Sequence, residues 1–247
     1  MGVRRDRPAG GQPLPRGDEK VQAVDAMFDA IAPRYDLLNR LLTFGMDVGW
    51  RRRTVKFLGL PRGSRVLDLA CGTGDLCREL AAAGHVPIGV DRSAGMLAAA
   101  RAGAPLLRGD CLRLPVATGS VDGLVCGFAL RNFVALEPFL AECARVLRPG
   151  GRVALLEVSV PANPVLRFGH GLYFGTVVPL VGGLLSDRDA YRYLPKSVAY
   201  LPPGPRLVAM LEEAGFDEAS RQALSTGIAQ LLTGTRSDSP PPSPPNR

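Results

Sequence analysis

The sequence is poor in the residues that build metal sites and disulfide frameworks. Its 247 residues include two histidines and five cysteines, and no two cysteines form a C-x-x-C pair. The cysteines stand singly, at positions 71, 77, 111, 126 and 143. Such scattering is typical of small buried thiols in a reducing compartment. We therefore expect no metal site and a cytoplasmic location.

Long uninterrupted apolar runs are also absent. The nearest candidate, residues 165–185, is broken by Arg167, His170, Pro179 and several glycines. These interruptions favour a buried or interfacial segment over a membrane span. The first twenty residues carry charge and proline but no apolar stretch of the signal-peptide type. A soluble globular protein is expected.

Acidic side chains are fewer than basic ones, 23 against 30, which gives a formal net charge of +7. This balance permits an anionic partner but does not identify one. The N-terminal arginines have no aromatic residues between them, which favours a solvated tail over a nucleic-acid contact. We expect a disordered arm over residues 1–19 and a disordered Pro-rich tail over residues 237–247.

Between these tails the pattern predicts a single α/β domain, residues 20–236. Residues 20–60 form a helical cap, with a break near residues 44–46. Strands are predicted at residues 65–70, 86–90, 106–108, 121–128, 152–158, 216–224 and 228–235. Helices alternate with them, through residue 80 and at residues 93–101, 136–147 and 205–214. This alternation predicts a doubly wound parallel sheet, with a cofactor-binding core at 65–158 and a substrate segment and final strands at 160–236.

The turn after the first predicted strand contains Gly72 and Gly74 and follows an acidic residue, Asp68. Glycines there let the backbone approach a ligand, and the helix behind them presents free N–H groups. A dinucleotide-binding fold would favour a third glycine where Cys77 stands, which argues against a nicotinamide oxidoreductase. An acidic turn disfavours a pyrophosphate and suits an ammonium or sulfonium group.

Two further acidic residues end the next strands. Asp91 can accept both hydroxyls of a ribose, and Asp110 follows the third strand, where an adenine amino group would lie. Together with Asp68 they predict an S-adenosylmethionine pocket. Each also has a structural explanation: Asp68 as a turn former, Asp91 as a helix cap reinforced by Ser93, and Asp110 as a loop residue.

Several stretches resemble class I S-adenosylmethionine-dependent methyltransferases: VLDLACGTGD, DRSAGMLAAAR, GDCLRLPVATGSVD and RVLRPGGRVALLEVS. Four more narrow the resemblance: FDAIAPRYDLLNRLLTFGMDVGWRR, GFALRNF, SDRDAYRYLPKSV and STGIAQLLTGTR. Over residues 21–236 the chain is similar to the ubiquinone/menaquinone biosynthesis C-methyltransferase family. The resemblance implies a Rossmann-like seven-stranded sheet with an N-terminal helical extension. It also implies S-adenosylmethionine as cofactor and C-methylation of the ring of a prenylated quinol.

By position, the resemblance implies these cofactor-binding residues: Asp68, Gly72, Thr73, Gly74, Asp91, Arg92, Met96, Asp110 and Cys111. Cys111 would contribute mainly its backbone. Two residues depart from the family pattern. Ala129 stands where the family usually has glycine, and Gly127 stands where a small polar side chain is common, so a side-chain contact is lost there.

A quinol ring carbon becomes nucleophilic when the adjacent hydroxyl loses its proton, so the reduced quinol is the expected substrate. We expect Arg131 to stabilise the phenolate and Asn132 to orient the ring, with a structural ion pair as the alternative for Arg131. Three tyrosines are candidates for the pocket wall or for substrate hydrogen bonds, of which Tyr193 is taken as catalytic: Tyr35, Tyr191 and Tyr193. His170 is interpreted as a packed histidine.

The acceptor is expected to be demethylmenaquinol; a benzoquinol or a small secondary metabolite is the alternative. A non-catalytic module that kept the cofactor pocket is a further alternative. Residues 165–185 and the helices before Trp50 are expected to enclose the prenyl tail. Arg51, Arg52 and Arg53 are expected to meet anionic lipid at a peripheral membrane contact, with an exposed basic helix face as the alternative. A homodimer is left open, and no nucleic-acid partner is expected.

Overall fold

The structure, a computed structural model, describes residues 17–177 and 197–238. Its N-terminal part is a run of three helices, α1 (Gly17–Ile31), α2 (Tyr35–Leu42) and α3 (Met46–Leu58). The 3-10 turn Ala32–Arg34 separates α1 from α2, because Pro33 cannot continue a helix. The expected break at residues 44–46 is the turn between α2 and α3. The predicted arm is too long, since residues 17–19 already belong to α1.

The rest of the chain forms one seven-stranded sheet. The strands are β1 (Arg65–Leu69), β2 (Val86–Asp91), β3 (Leu106–Arg108), β4 (Val121–Gly127), β5 (Leu147–Val158), β6 (Phe216–Leu224) and β7 (Ala229–Arg236). Their order across the sheet is β3-β2-β1-β4-β5-β7-β6. The central strands β1 and β4 are buried on both faces, as their continuous apolar sequences require.

The strand directions agree with the predicted parallel sheet up to β5 and differ beyond it. β1 to β5 pair in parallel, whereas β7 runs antiparallel to both β5 and β6. A short connection after β6 leaves room only for a hairpin, because a parallel pair needs a long crossover. β5 also starts five residues before the predicted strand, so the sequence Pro149-Gly150-Gly151 lies within it and not between elements.

Helices cover both faces of the sheet. The remaining helices are α4 (Asp75–Ala82), α5 (Ala94–Ala99), α6 (Leu136–Val146), α7 (Pro164–Leu172) and α8 (Gly204–Glu213). One core joins α6 and α8 to the sheet around Phe139 and Phe216. A second core joins α3 and α4 to the sheet around Trp50 and Leu80. The helical cap is therefore anchored to the sheet chiefly through α3.

A five-residue π-helical stretch, Tyr173–Val177, follows α7. The predicted site residues Tyr191 and Tyr193, and the part of the expected apolar segment beyond residue 177, lie outside the described residues. Across the two described ranges, no helix combines the length and the apolar character needed to cross a bilayer.

Candidate active site

The loops after the first four strands meet at the carboxyl edge of the sheet. β1 lies between β2 and β4, with Leu69 paired to Val90 on one side and to Cys126 on the other. Two residues just beyond these strand ends, Ala70 and Phe128, have left-handed φ angles of +52° and +60°. Non-glycine residues adopt such angles at an energetic cost, and they concentrate at functional sites. The strand ends form the kind of crevice in which open α/β sheets bind ligands.

A cavity of about 120 Å³ occupies this crevice, and we call it the strand-end cavity. It is lined by six of the predicted cofactor residues: Gly72, Asp91, Arg92, Met96, Asp110 and Cys111. Helix α1 closes its outer side with Val21, Val24, Asp25 and Phe28. Burial raises the pKa of the Cys111 thiol to about 12, so this side chain is a neutral part of the wall.

Asp91 ties two of the loops together. Its Oδ2 accepts a hydrogen bond from the Gly72 N–H at 2.7 Å, and its Oδ1 accepts one from the Ser93 N–H at 2.8 Å. The sequence suggested Asp91 as a helix cap reinforced by Ser93, but the N-cap of α5 is Ser93, whose Oγ accepts the Met96 N–H at 3.0 Å. Burial raises the pKa of Asp91 above its ordinary value. Each carboxylate oxygen keeps a second lone pair, so Asp91 can still accept hydroxyl groups in the cavity.

Asp110 and Arg92 form the exposed rim of the strand-end cavity. Asp110 Oδ1 accepts the Leu112 N–H at 2.9 Å, and its Oδ2 lies 3.4 Å from Arg92 Nη1. Arg92 also pairs with Asp25 of α1 at 2.9 Å. Exposed pairs of this kind contribute at most about 1 kcal/mol each. The rim therefore fastens α1 over the cavity only weakly.

Two further residues, Asp29 and Lys20, hold α1 in place. Asp29 accepts hydrogen bonds from the Ser93 hydroxyl and from the Gly95 N–H. Lys20 is buried, and its Nζ donates to the Phe133 carbonyl oxygen at 2.7 Å and lies 3.8 Å from the centre of the Tyr200 ring. Burial lowers the pKa of Lys20 to about 8.

A smaller space, which we call the loop recess, adjoins the strand-end cavity beneath the glycine turn. Its walls include Tyr35, Arg51, Asp68, Gly72, Thr73 and Gly127. Asp68 is 1% exposed, and its Oδ2 accepts the Cys77 N–H at 3.1 Å. Its Oδ1 accepts no hydrogen bond from the described residues. Burial raises the pKa of Asp68 to about 7.

The burial of Arg51 contradicts the expectation that Arg51, Arg52 and Arg53 form a basic cluster facing lipid. The Arg51 side chain pairs with Asp47 and lies 3.1 Å from Asp75, and its guanidinium borders the loop recess. Arg52 instead pairs with Glu79, and Arg53 lies over the Phe57 ring. Consecutive helical residues point in different directions, so this triplet is not one surface patch.

Gly74 was predicted to bind the cofactor, but its position in the structure indicates a role in the turn and in packing. It borders neither the strand-end cavity nor the loop recess. With φ of +83° it caps α4, and a Cβ there would lie 2.5 Å from Cβ of Ala102. Its lack of a side chain therefore serves the turn and close packing against Ala102. Thr73 does border the recess, and its hydroxyl donates to Asp36 of α2.

The two departures from the family pattern fit the local backbone. Ala129 has φ of −117°, an angle that does not require glycine. A Cβ at Gly127 would lie 2.9 Å from Leu76 Cδ1, so a side chain there would need Leu76 to move. Gly127 therefore leaves the space that the Leu76 side chain occupies.

A larger cavity of about 370 Å³, which we call the helical cavity, lies among α1, α2, α3 and α7. Its wall is mostly apolar and includes Met27, Ile31, Leu42, Met46, Trp50 and Leu166. Four residues line both this cavity and the strand-end cavity: Phe28, Tyr35, Phe128 and Asn132. Tyr35 also borders the loop recess, and burial raises its pKa. The three spaces therefore meet at Tyr35.

Arg131 and Asn132 lie where the sequence placed them, on the 3-10 turn Leu130–Asn132 just beyond β4. Arg131 is 5% exposed and forms a buried ion pair with Glu157, which is 0% exposed. Its Nη1 also donates to the Phe128 carbonyl oxygen at 2.7 Å, and its Nε to Ser197 Oγ at 3.1 Å. The ion pair named as the alternative for Arg131 is thus present, and it supports the strained turn at Phe128.

The sequence predicted walls of a tail site at residues 165–185 and in the helices before Trp50, but it did not single out three of the polar residues of the helical cavity. His170 lines this cavity, and partial burial lowers the pKa of its imidazole. Asn39 and Thr43 add polar groups on the α2 side. These residues lie on the two helical segments that flank the cavity, and helical spacing alone does not distinguish a cavity wall from an ordinary core.

Solved structures of related fold include an S-adenosylmethionine-dependent methyltransferase from Thermotoga maritima, described as a possible histamine N-methyltransferase. It is 19% identical with a TM-score of 0.63, over 86% of this chain and 99% of that one. Another is phosphoethanolamine N-methyltransferase 2 of Haemonchus contortus in complex with S-adenosylmethionine, 14% identical with a TM-score of 0.57, over 76% and 52% of the two chains. The fold is that of the class I S-adenosylmethionine-dependent methyltransferases.

Sequence comparison identifies the family to which the chain belongs within this class. The profile of the ubiE/COQ5 methyltransferase family matches residues 16–236. The demethylmenaquinone methyltransferase of Deinococcus radiodurans is 45% identical, over 90% of this chain and 97% of its own length. The ubiquinone/menaquinone biosynthesis C-methyltransferase of Syntrophotalea carbinolica is 43% identical, over 87% and 95%. The chain therefore belongs to the ubiE/COQ5 methyltransferase family.

Proposed function

We propose that the protein methylates a ring carbon of a prenylated quinol and that the acceptor is demethylmenaquinol. The observation that carries this proposal is the junction of the strand-end and helical cavities at Tyr35, Phe128 and Asn132. Relatives named demethylmenaquinone methyltransferase support the choice of acceptor.

The residues around the strand-end cavity and the loop recess fit S-adenosylmethionine. Asp91 has acceptor capacity for the ribose hydroxyls, and Asp110, which lines the same cavity, would accept a hydrogen bond from the adenine amino group. Asp68 Oδ1 is buried with acceptor capacity unused by the described residues, and Arg51 presents the opposite charge to the same recess. The ammonium group of an amino-acid end would match Asp68. Its carboxylate group would share Arg51 with Asp47 and Asp75.

S-adenosylmethionine supplies an electrophilic methyl group on a sulfonium centre. The chain's own residues hold the acceptor ring at the junction and keep water out. Tyr35, Phe128 and Asn132 surround the place where the two ligands would face each other. Fixing two reactants in this way removes most of the entropic cost of their encounter.

The helical cavity suits a fused aromatic ring with an apolar tail. Its volume of about 370 Å³ lies within the range of about 300–1,000 Å³ usual for small-molecule pockets. The apolar wall favours the ring and the start of the tail, while Asn39, Asn132 and His170 offer polar groups for the quinol hydroxyls.

Loss of the hydroxyl proton makes the ring carbon nucleophilic, and we propose that Arg131 stabilises the resulting phenolate. After methyl transfer the ring C–H hydrogen leaves as a proton and the oxygen is reprotonated, so that one proton is released to solvent overall. The bonds of Arg131 to the described residues use Nε and Nη1, which leaves Nη2 as a donor on a side chain that lines the helical cavity. The paired Glu157 reduces the net positive charge, so the stabilisation we propose is a directed hydrogen bond more than a free cation. Asn132 orients the ring.

We infer that α1 moves when the cofactor binds. The strand-end cavity, at about 120 Å³, is smaller than usual small-molecule pockets, and α1 forms its outer wall. The weak rim pairs of Arg92 and the contacts of Asp29 and Lys20 are what this movement would break.

The test is transfer of labelled methyl from S-adenosylmethionine to chemically reduced demethylmenaquinol, with the oxidised quinone and a reduced benzoquinol in parallel reactions. We expect label in the organic extract only with the reduced naphthoquinol. Cofactor binding without transfer to any quinol would contradict the proposed reaction. Equal transfer to the benzoquinol would contradict the choice of acceptor.

A further inference from the structure

The exposed apolar side chains of the molecule are concentrated on two helical segments. In the described ranges, six large apolar side chains are at least half exposed: Leu37 65%, Leu41 50%, Phe44 76%, Val165 78%, Phe168 77% and Leu172 60%. The first three lie on α2 and the turn after it, and the others lie on α7. Contiguous exposed apolar surface commonly marks a contact with another molecule or a membrane.

We call each of these sets a stripe, since helical spacing places its helical residues on one side of the helix. Leu37 and Leu41 are four residues apart and lie on one side of α2, and Phe44 follows in the turn after the helix. The neighbouring residues Leu38 and Leu42 face inward, since Leu38 is fully buried and Leu42 lines the helical cavity. α2 is therefore apolar on two sides, one for the core and one for the outside.

α7 repeats this arrangement. Val165, Phe168 and Leu172 are spaced by three and four residues and form its outer stripe. Leu166 and His170, four residues apart, line the helical cavity. Such a helix resembles one that lies in a membrane interface, with its outer face immersed.

The two stripes converge at the mouth of the helical cavity. The ring of Phe44 lies 5.7 Å from that of Tyr173, which directly follows α7. The Tyr173 hydroxyl donates to the Leu42 carbonyl oxygen at 2.9 Å, which joins the C-terminal ends of the two segments. Phe44 and Val165 belong both to the exposed stripes and to the cavity wall.

The backbone conformation of Phe44 also supports a role for its exposed ring. Its φ is +51°, a left-handed angle that is unusual for a bulky residue, yet its ring gains little burial in return. Strain of this kind persists where it has a use. Here it directs an aromatic ring outward beside the cavity mouth.

The charges of α7 indicate the kind of surface that meets it. The helix contains Arg167 and no acidic residue, and Arg167 is exposed between Leu166 and Phe168. A basic side chain beside an apolar stripe matches anionic headgroups above acyl chains.

We propose that these six side chains dock the protein on an anionic lipid bilayer and let the prenylated quinol enter the helical cavity directly from the membrane. The proposal rests on the proposed function, because the prenyl tail is what requires a membrane route. It replaces the arginine triplet of α3 as the lipid contact.

The test is flotation of the full chain with phosphatidylcholine vesicles, with and without phosphatidylglycerol. The variant Leu37→Ser/Phe168→Ser removes one residue from each stripe and touches neither cavity. The matched control, Phe57→Ser/Leu107→Ser, removes apolar side chains exposed elsewhere. We expect the stripe variant to lower vesicle partitioning about tenfold or more, and the control to lower it less than twofold.

Turnover separates docking from catalysis. We expect the stripe variant to lose activity on long-chain quinol in vesicles and to keep it on a short-chain quinol in solution. Vesicle binding that is equal in wild type and stripe variant, or absent in wild type, would overturn the proposal. So would a stripe variant that changes from dimer to monomer in light scattering, because a second copy would then cover the stripes. Stripe-dependent flotation without turnover on either quinol would refute the proposed reaction and leave the docking surface standing.

Discussion

The sheet edge and the helical cap differ in how they are built. At the sheet edge, buried strands fix short loops, and the carboxylates of Asp68 and Asp91 accept backbone N–H groups. In the cap, apolar side chains of α1, α2 and α7 enclose the helical cavity, and several lie open to solvent. A rigid, polar site suits a cofactor that is always the same molecule. A looser apolar wall suits a long hydrophobic acceptor that must enter from outside.

Breaking the buried ion pair should have the largest effect. We expect Arg131→Ala to lower the free energy of unfolding by about 3–5 kcal/mol, because Glu157 would remain buried without its partner. Chemical denaturation measures this loss. The double variant Arg131→Met/Glu157→Leu should recover most of the stability and still lack turnover. Recovery of turnover as well would show that Arg131 has no role beyond structure.

Replacement of Asp91 tests whether the sheet edge binds the cofactor independently of the helical cap. We expect Asp91→Ala to weaken S-adenosylmethionine binding about 100-fold, because the ribose loses a charged acceptor and the Gly72 and Ser93 N–H groups lose theirs. Calorimetry with S-adenosylhomocysteine measures the affinity. Asn39→Ala, on the acceptor side, is the matched control and should leave that affinity within twofold. Equal losses in both variants would mean that the two sites are not separate.

The pH dependence of cofactor binding should depend on Asp68. Its pKa of about 7 means that a cationic ligand binds better as the pH rises and the carboxylate ionises, so affinity should rise up to about tenfold between pH 6 and 8. Folding stability should fall over a lower window, from the ordinary Asp pKa up to about 7, because the folded state retains a proton that the unfolded state releases. In Asp68→Asn the pH dependence of binding should vanish, and its persistence there would assign it to another group. The pH dependence of stability should become weaker but not vanish, because burial also raises the pKa of Asp91.

Loosening α1 should have the smallest effect. We expect Lys20→Met to speed S-adenosylhomocysteine dissociation a few-fold, since the variant loses the bond to the Phe133 carbonyl oxygen and the contact with Tyr200. Stopped-flow displacement measures the rate. Arg53→Met, a change on α3 away from the cavity, should leave it unchanged. An unaltered rate in Lys20→Met would argue against α1 as the moving cover.

The sheet edge and the helical cap also differ in how much of each could be predicted from the sequence. The βα core was predicted closely, since short apolar runs, glycine turns and acids at strand ends are local signals. Strand β3 has the expected bounds, and β1, β2 and β4 each differ from the prediction by one residue. The antiparallel β7 and the packing role of Gly74 depend on contacts with residues distant in the sequence. In the cap, the burial of Arg51 and the placement of His170 also arise only when the helices assemble.

The central claim is that methyl transfer takes place at the junction of the two cavities. A crystal structure with S-adenosylhomocysteine and a short-chain demethylmenaquinol analogue tests it most directly. We predict the ribose on Asp91, the cofactor sulfur directed at the gap between Tyr35, Phe128 and Asn132, and the quinol ring on the far side of that gap. A sulfur atom directed away from the helical cavity, or a quinol bound elsewhere, would contradict the account.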